Sequence, residues 1–173
     1  MIELNEFVFK RMNLPKRFWF ITPLNMNQEI RKANESYVRS WLEKLQEGGL
    51  KQDLFIMGPH SNELFSVVMQ SLARRGIDCI VFHPNEMDLI LERNQQTRSE
   101  WYEIPALGIH SFFEETSYDW KTRNFLYGLL KHRWLNNKLT VLASKTEFDR
   151  MQQYMENATI LEDFLTNAKF LNA

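Results

Sequence analysis

Three histidines, His60, His83 and His110, each stand just after a short apolar run. If those runs are parallel strands, the three imidazoles converge at one end of a sheet, the end where α/β proteins place their ligands. Around the first of them the chain reads Gly58, Pro59, His60, Ser61, Asn62, Glu63, Leu64, Phe65. That is the frame of a phosphate-cradling loop, G-x-x-x-x-G-K-[ST]. In such a loop backbone N–H groups, a helix N-terminus and one Lys hold an anion. The first Gly is kept as Gly58, but the second is Glu63, the Lys is Leu64 and the hydroxyl residue is Phe65. Glu63 at the helix start repels a phosphate by about 4 kcal/mol per unit charge at roughly 4 Å and an effective dielectric near 20. That repulsion alone is on the order of a thousandfold in affinity. Ser61 or Asn62 can cap the helix instead, and Glu63 favours its dipole. Two readings follow from the stretch alone: a phosphate loop whose chemistry is gone, or an ordinary strand, turn and helix.

Other chemistries have less behind them. Without a Cys cluster or paired carboxylates near the histidines, no metal site is expected. No Ser/His/Asp set with a nucleophile-elbow sequence is present. The lone Cys79 lies in a strand-like run and is expected to be a buried, inert thiol. A basic series, Lys121, Arg123, Lys131, His132 and Arg133, surrounds one helical stretch, and with Arg74 and Arg75 it could form a patch for single-stranded DNA. The simpler reading is the solvated face of that helix. Lys10, Arg11, Lys16, Arg17, Phe18 and Trp19 form a second basic and aromatic stretch, read as packing against the sheet.

The elements that would position these residues follow from periodicity. Leu54, Phe55, Ile56 and Met57 form a continuous apolar run, as in a strand buried on both faces. From Glu63, Leu64, Phe65, Val67, Val68, Met69, Leu72 and Ala73 recur at helical spacing up to Gly76. The next strand is 79–82. Upstream, a helix from about Asn27 to about Gln46 turns Ile30, Ala33, Tyr37, Val38, Trp41, Leu42 and Leu45 to one side. Downstream come a short helix over 86–93, a polar loop over 94–99 and a strand over 104–109 weakened by Pro105 and Gly108. A helix over 119–134 carries Trp120, Phe125, Leu126, Leu129, Leu130 and Trp134 inward. A strand over 139–143 and helices over 146–155 and 160–170 complete the chain. Strands alternate with helices, so the fold is expected to be α/β with a mainly parallel sheet.

Composition sets broad limits. The chain has 173 residues with a net charge of −1, so there is no global drive toward nucleic acid or a membrane surface. Hydrophobic residues make up 44%, with 13 Phe and 5 Trp, enough for a sizeable core. One Cys excludes an internal disulfide, and no apolar run reaches a membrane span. With no signal-peptide pattern at the N-terminus, a cytoplasmic location is expected. The whole chain, 1–173, is read as one domain with a lead-in over about 1–26.

Taken together, these segments resemble the AAA+ ATPase domain of bacterial replicative-helicase loaders, the DnaI and DnaC family. The likeness runs from about Leu14 to Leu171. Leu14-Pro15-Lys16-Arg17 is similar to the family's entry to that domain. Phe82-His83-Pro84-Asn85-Glu86-Met87 is similar to its second strand and following turn. The helix from Trp120 to Arg133 and the strand Leu139-Thr140-Val141-Leu142-Ala143-Ser144-Lys145 also have counterparts there. The resemblance implies a three-layer AAA+-like fold with helices on both faces of the sheet. Against the family pattern, the acidic pair that serves Mg²⁺ and water falls at His110 and Ser111, and the sensor Asn at Lys145. The arginine finger falls near Glu162 and Asp163. With Gly58, Pro59, His60, Ser61, Asn62 and Glu63 these mark a vestigial nucleotide pocket. The implied protein hydrolyses no ATP and needs no cofactor. The family's separate helicase-binding region is not expected within this length.

Three functions are therefore carried forward. The first is a non-catalytic adaptor, decoy or regulator of helicase loading, docking on a replicative helicase, a helicase loader or an initiator protein. The second is a single-stranded DNA-binding module built on Lys121, Arg123, Lys131 and Arg133. The third is a small-molecule binder that reuses the old pocket. A homo-oligomer is compatible with all three, though the nucleotide that joins subunits in the family would be missing.

Overall fold

The computed structural model describes residues 2–48, 52–84, 95–112, 118–146 and 166–173. Helix α1 (Glu6–Arg11) opens on Asn5, whose side chain accepts from Val8 N. A 3-10 turn (Lys16–Phe18) then leads to helix α2 (Gln28–Gln46). Strand β1 (Leu54–Met57) and helix α3 (Ser61–Arg74) follow, then β2 (Cys79–Phe82) and helix α4 (Gln95–Glu103). Strand β3 (Ala106–Ile109), helix α5 (Trp120–Leu135), β4 (Leu139–Ser144) and β5 (Lys169–Asn172) complete the described elements.

The sheet is parallel throughout, in the order β2-β3-β4-β1-β5. Because β1 lies inside it, Leu54, Phe55 and Ile56 have no exposure at all. Successive strand side chains alternate between two cores. Leu54, Ile56, Val81, Val141 and Ala143 meet α2, α3 and the lead-in on one face. Phe55, Phe82, Leu107, Ile109 and Leu142 meet α4 and α5 on the other. This is the three-layer α/β arrangement expected. Gly108 sits where α3 presses on β3: a Cβ there would lie 2.7 Å from Phe65 Cζ and 2.9 Å from Met69 Cε. The glycine that weakens the strand pattern thus admits the helix.

Several sequence expectations change. Residues 95–99 are helical in α4 rather than loop. The strand expected over 104–109 begins at Ala106, after Pro105. The helix expected over 160–170 does not reach its end: Lys169 and Phe170 are in β5, paired with Leu54 and Phe55. On α2, Val38, Trp41 and Leu42 are buried as expected, but Ala33 is exposed and Asn34 takes the inward place. Asn34 Nδ2 donates 2.9 Å to Asn172 O, tying α2 to the sheet edge. The expectations for 86–93 and 147–165, including Glu162 and Asp163, lie outside the described residues.

The lead-in packs, as expected. Phe18 is 2% exposed, its carbonyl accepts from Ser66 Oγ and Gln70 Nε2, and Trp19 stacks on Phe9 at 5.4 Å. Cys79 is buried, and burial pushes its thiol up to about 12. Among the described residues no helix is long and apolar enough to cross a membrane.

Candidate functional site

The loop between β1 and α3 consists of Gly58, Pro59 and His60 alone, because Ser61 and Asn62 already belong to the helix. Its N–H groups are occupied from within. Gly58 N donates to Ser144 O, His60 N to Ala173 O, and Ser61 N to Gly58 O. Glu63 N and Leu64 N both donate to His60 O. A phosphate cradle needs such groups free and pointing at the anion.

Gly58 has a reason of its own. Its φ is +114°, a region open to glycine, and a Cβ there would lie 1.9 Å from Ala173 O. Ala173 N in turn donates 2.6 Å to Met57 O. The continuation of β5 therefore lies directly against the loop. What sequence reading takes for a relic of phosphate binding is required by this contact.

The expected caps of α3 do not form. His60 stands at the N-cap without a side-chain cap bond. Ser61 Oγ and Asn62 Oδ1 are buried without partners. Glu63 turns its carboxylate sideways: Oε1 meets His60 Nδ1 at 2.8 Å and Oε2 accepts from Asn27 N at 2.9 Å. Burial pulls its pKa upward, but the bonds from His60 and Asn27 outweigh that and hold it below the usual carboxylate value. Asn27 is also the N-cap of α2, its side chain accepting from Glu29 N and Ile30 N. One carboxylate thus staples the starts of two helices.

Of the three histidines, two come together. His83 and His110 meet edge to face at 4.9 Å, while His60 is taken by Glu63. His110 is 2% exposed and lies edge-on to Phe18 at 5.2 Å. Burial, then the charges of His83 and Arg17, lowers its pKa to about 3, so it is neutral at ordinary pH. Ser111 beside it is buried at a φ of +55°, with its carbonyl accepting from Tyr118 Oη. Neutral His110 offers no carboxylate oxygen to a divalent cation. No group of His, Cys, Asp and Glu suited to a metal ion occurs among the described residues. Lys145, exposed, follows Ser144 at the end of β4.

The basic series does not come together as one patch, and Arg133 does not lie on a solvated face. Arg133 has no exposure. Its guanidinium donates to Thr140 Oγ1 and to the carbonyls of Trp101, Tyr102, Ile104 and Leu139. It thereby closes the C-terminal end of α4, where a cation suits the helix dipole. Arg74 and Arg75 end α3, on the opposite sheet face from α5. Lys121 and Lys131 are exposed, but Lys121 and Arg123, two positions apart, project to roughly opposite sides of α5. Trp120, expected inward, is 64% exposed.

Sequence reading missed Asp53 altogether. It is 8% exposed at the start of β1, where its Oδ1 accepts from Thr140 N at 2.7 Å. Burial raises its pKa to about 7, against the pull of the Thr140 bond and the Arg133 charge. Burial also lowers Arg133 to about 10, leaving it charged. An acid just before a strand would have been the signal.

The parallel sheet with helices on both faces defines a three-layer α/β fold. More particularly, it is the fold of helicase-loader domains. It superposes on the crystal structure of DnaI with a TM-score of 0.76 at 14% identity, covering 93% of this chain and 95% of that one. The DnaC helicase loader gives a TM-score of 0.71 at 14% identity over 91% and 99%. DnaA of Aquifex aeolicus, bound to AMPPCP, gives 0.63 at 15% over 81% of this chain and 46% of that one. At these identities what is shared is the fold. No protein-family model matches the sequence, and no curated protein matches it.

Proposed function

We propose that this chain is a non-catalytic AAA+-like protein of DNA replication. It acts through protein contacts with a replicative helicase, a loader or an initiator, as an adaptor, decoy or regulator of helicase loading. One observation supports the reading above the rest: the loop that would cradle phosphates is short, and its own chain takes up its N–H groups. A neutral, ring-packed His110 where the family carries an acid points the same way. Two experiments test it. Titration with a fluorescent ATP analogue and magnesium is expected to show neither binding nor turnover, and magnesium-dependent turnover would end the proposal. Affinity purification from nuclease-treated host lysate is expected to recover a helicase, loader or initiator.

A second reading has its own observation. Trp120 is exposed beside Lys121 at the start of α5, a stacking platform next to a cation. Single-stranded oligonucleotide binding that falls with salt, and is lost in Trp120→Ala with Lys121→Glu, would move the weight there.

A further inference from the structure

Helices α2 and α3 cover the same sheet face without closing fully on each other. Between them lies a cavity of about 170 Å³, comparable to an engineered cavity that accepts benzene. Its floor is apolar, made by Met26, Val38, Leu42, Leu64 and Val67. Its rim carries Arg31, Arg39 and Arg75 against a single acid, Glu35. That one carboxylate serves two cations: Oε2 accepts from Arg31 at 3.1 Å and Oε1 from Arg39 at 2.9 Å. Arg75 donates Nη1 to Ser71 O and leaves its Nε without a partner. Positive charge around the groove therefore exceeds negative, although the chain as a whole is slightly acidic. At one end Pro23 leads directly to Leu24, which is 80% exposed.

The composition of the groove decides between occupants. Among the described lining residues there is no aromatic side chain on which a base could stack, so the cations alone do not make a nucleic-acid site. An apolar floor with a cationic rim complements a helix that sets apolar residues on one side and carboxylates beside them. We infer that the α2–α3 groove is a docking site for an acidic, amphipathic segment of a protein partner. An apolar side chain of that segment enters the cavity, and its carboxylates pair with Arg39 and Arg75. The inference rests on the adaptor reading only for where the partner works, not for the chemistry of the groove.

The test uses methyl-labelled full-length chain and three probes: a synthetic Glu/Leu amphipathic helix, the same peptide with Lys for Glu, and oligo-dT. The acidic peptide is expected to shift the methyl signals of Val38, Leu42, Leu64 and Val67, with affinity falling as salt rises. The double variant Arg39→Glu, Arg75→Glu is expected to weaken it tenfold or more. Leu54 and Val141 signals report that the variant remains folded. Equal response to the Lys peptide, no response at the groove, or response there to oligo-dT would each overturn the inference. The lysate purification separates the two claims. If the double variant recovers the same replication proteins as the parent chain, the groove inference falls and the adaptor reading stands. If the parent recovers none while the acidic peptide still binds, the reverse holds.

Discussion

Among the described residues, the most deeply buried titratable group at the carboxyl end of the sheet is His110, uncharged and packed among rings. At the amino end it is Arg133, charged and wrapped in carbonyls, with Asp53 nearby on the same Thr140. The first end is where open α/β sheets commonly hold a ligand. Here His60, Glu63 and the loop N–H groups are spent on one another or on neighbouring carbonyls, and His110 is kept neutral. The second end has no ligand role in the reading above, yet it carries the buried charge. The contrast teaches that strong burial of ionisable groups in this molecule marks structure rather than a site. Perturbed groups are candidates for function only when something remains for a ligand to meet.

The sharpest way to break the comparison is Arg133→Leu. It strands the α4 carbonyls and leaves Asp53 without its cation, and a loss of about 3–5 kcal/mol is expected in urea unfolding. A loss below about 1 kcal/mol would deny the amino end its structural role. Next comes Gly58→Ala, which forces a Cβ into Ala173 O at a φ of +114°. A loss of about 2–3 kcal/mol is expected, together with faster amide exchange at His60 and Ala173. Unchanged exchange would separate the loop from β5.

The pH dependence of stability distinguishes the ends by sign. The folded pKa of His110 is depressed to about 3 from 6.5, so the unfolded chain binds more protons between those values. Stability from this group falls as pH drops from about 6.5 toward 3, and His110→Phe flattens that loss. Asp53 is raised to about 7 from 3.8, so the folded chain binds more protons in that window. Stability from this group falls as pH rises from about 4 to 7, and Asp53→Asn flattens it. Each slope is at most about 1.4 kcal/mol per pH unit, read by urea midpoints across pH. The smallest effect belongs to Glu63→Gln. Two charge-assisted contacts weaken while the shape is kept, and about 1 kcal/mol is expected by thermal unfolding.

Much of the fold was legible in the sequence because apolar runs and helical spacing are written locally. Leu54 to Met57, Cys79 to Phe82 and the α3 stripe need no partner to be recognised. What failed depended on distant contacts. Arg133 looks like any other cation on a basic helix until the carbonyls of Trp101 and Leu139 surround it. Gly58 fits a motif until Ala173 lies against it. The polar series of α4 carries no apolar stripe to announce a helix, and β5 is a strand only because β1 offers it an edge. Ser61 and Asn62 are good caps in isolation, but the helix starts at Ser61 itself and leaves the N-cap position to His60.

The pairing of β1 with β5 also bears on how the chain is made. Leu54 pairs with Lys169, and Met57 with Asn172. At about 5–20 residues per second, a ribosome delivers the second partner on the order of ten seconds after the first. Until then one flank of β1 has open N–H and C=O groups beside a wholly apolar run, a template for stray pairing. Contacts so far apart in the chain also slow folding once synthesis ends. The last pairing to form completes the sheet edge and, through Ala173, sets the Gly58 turn, so an interrupted chain would lose both together.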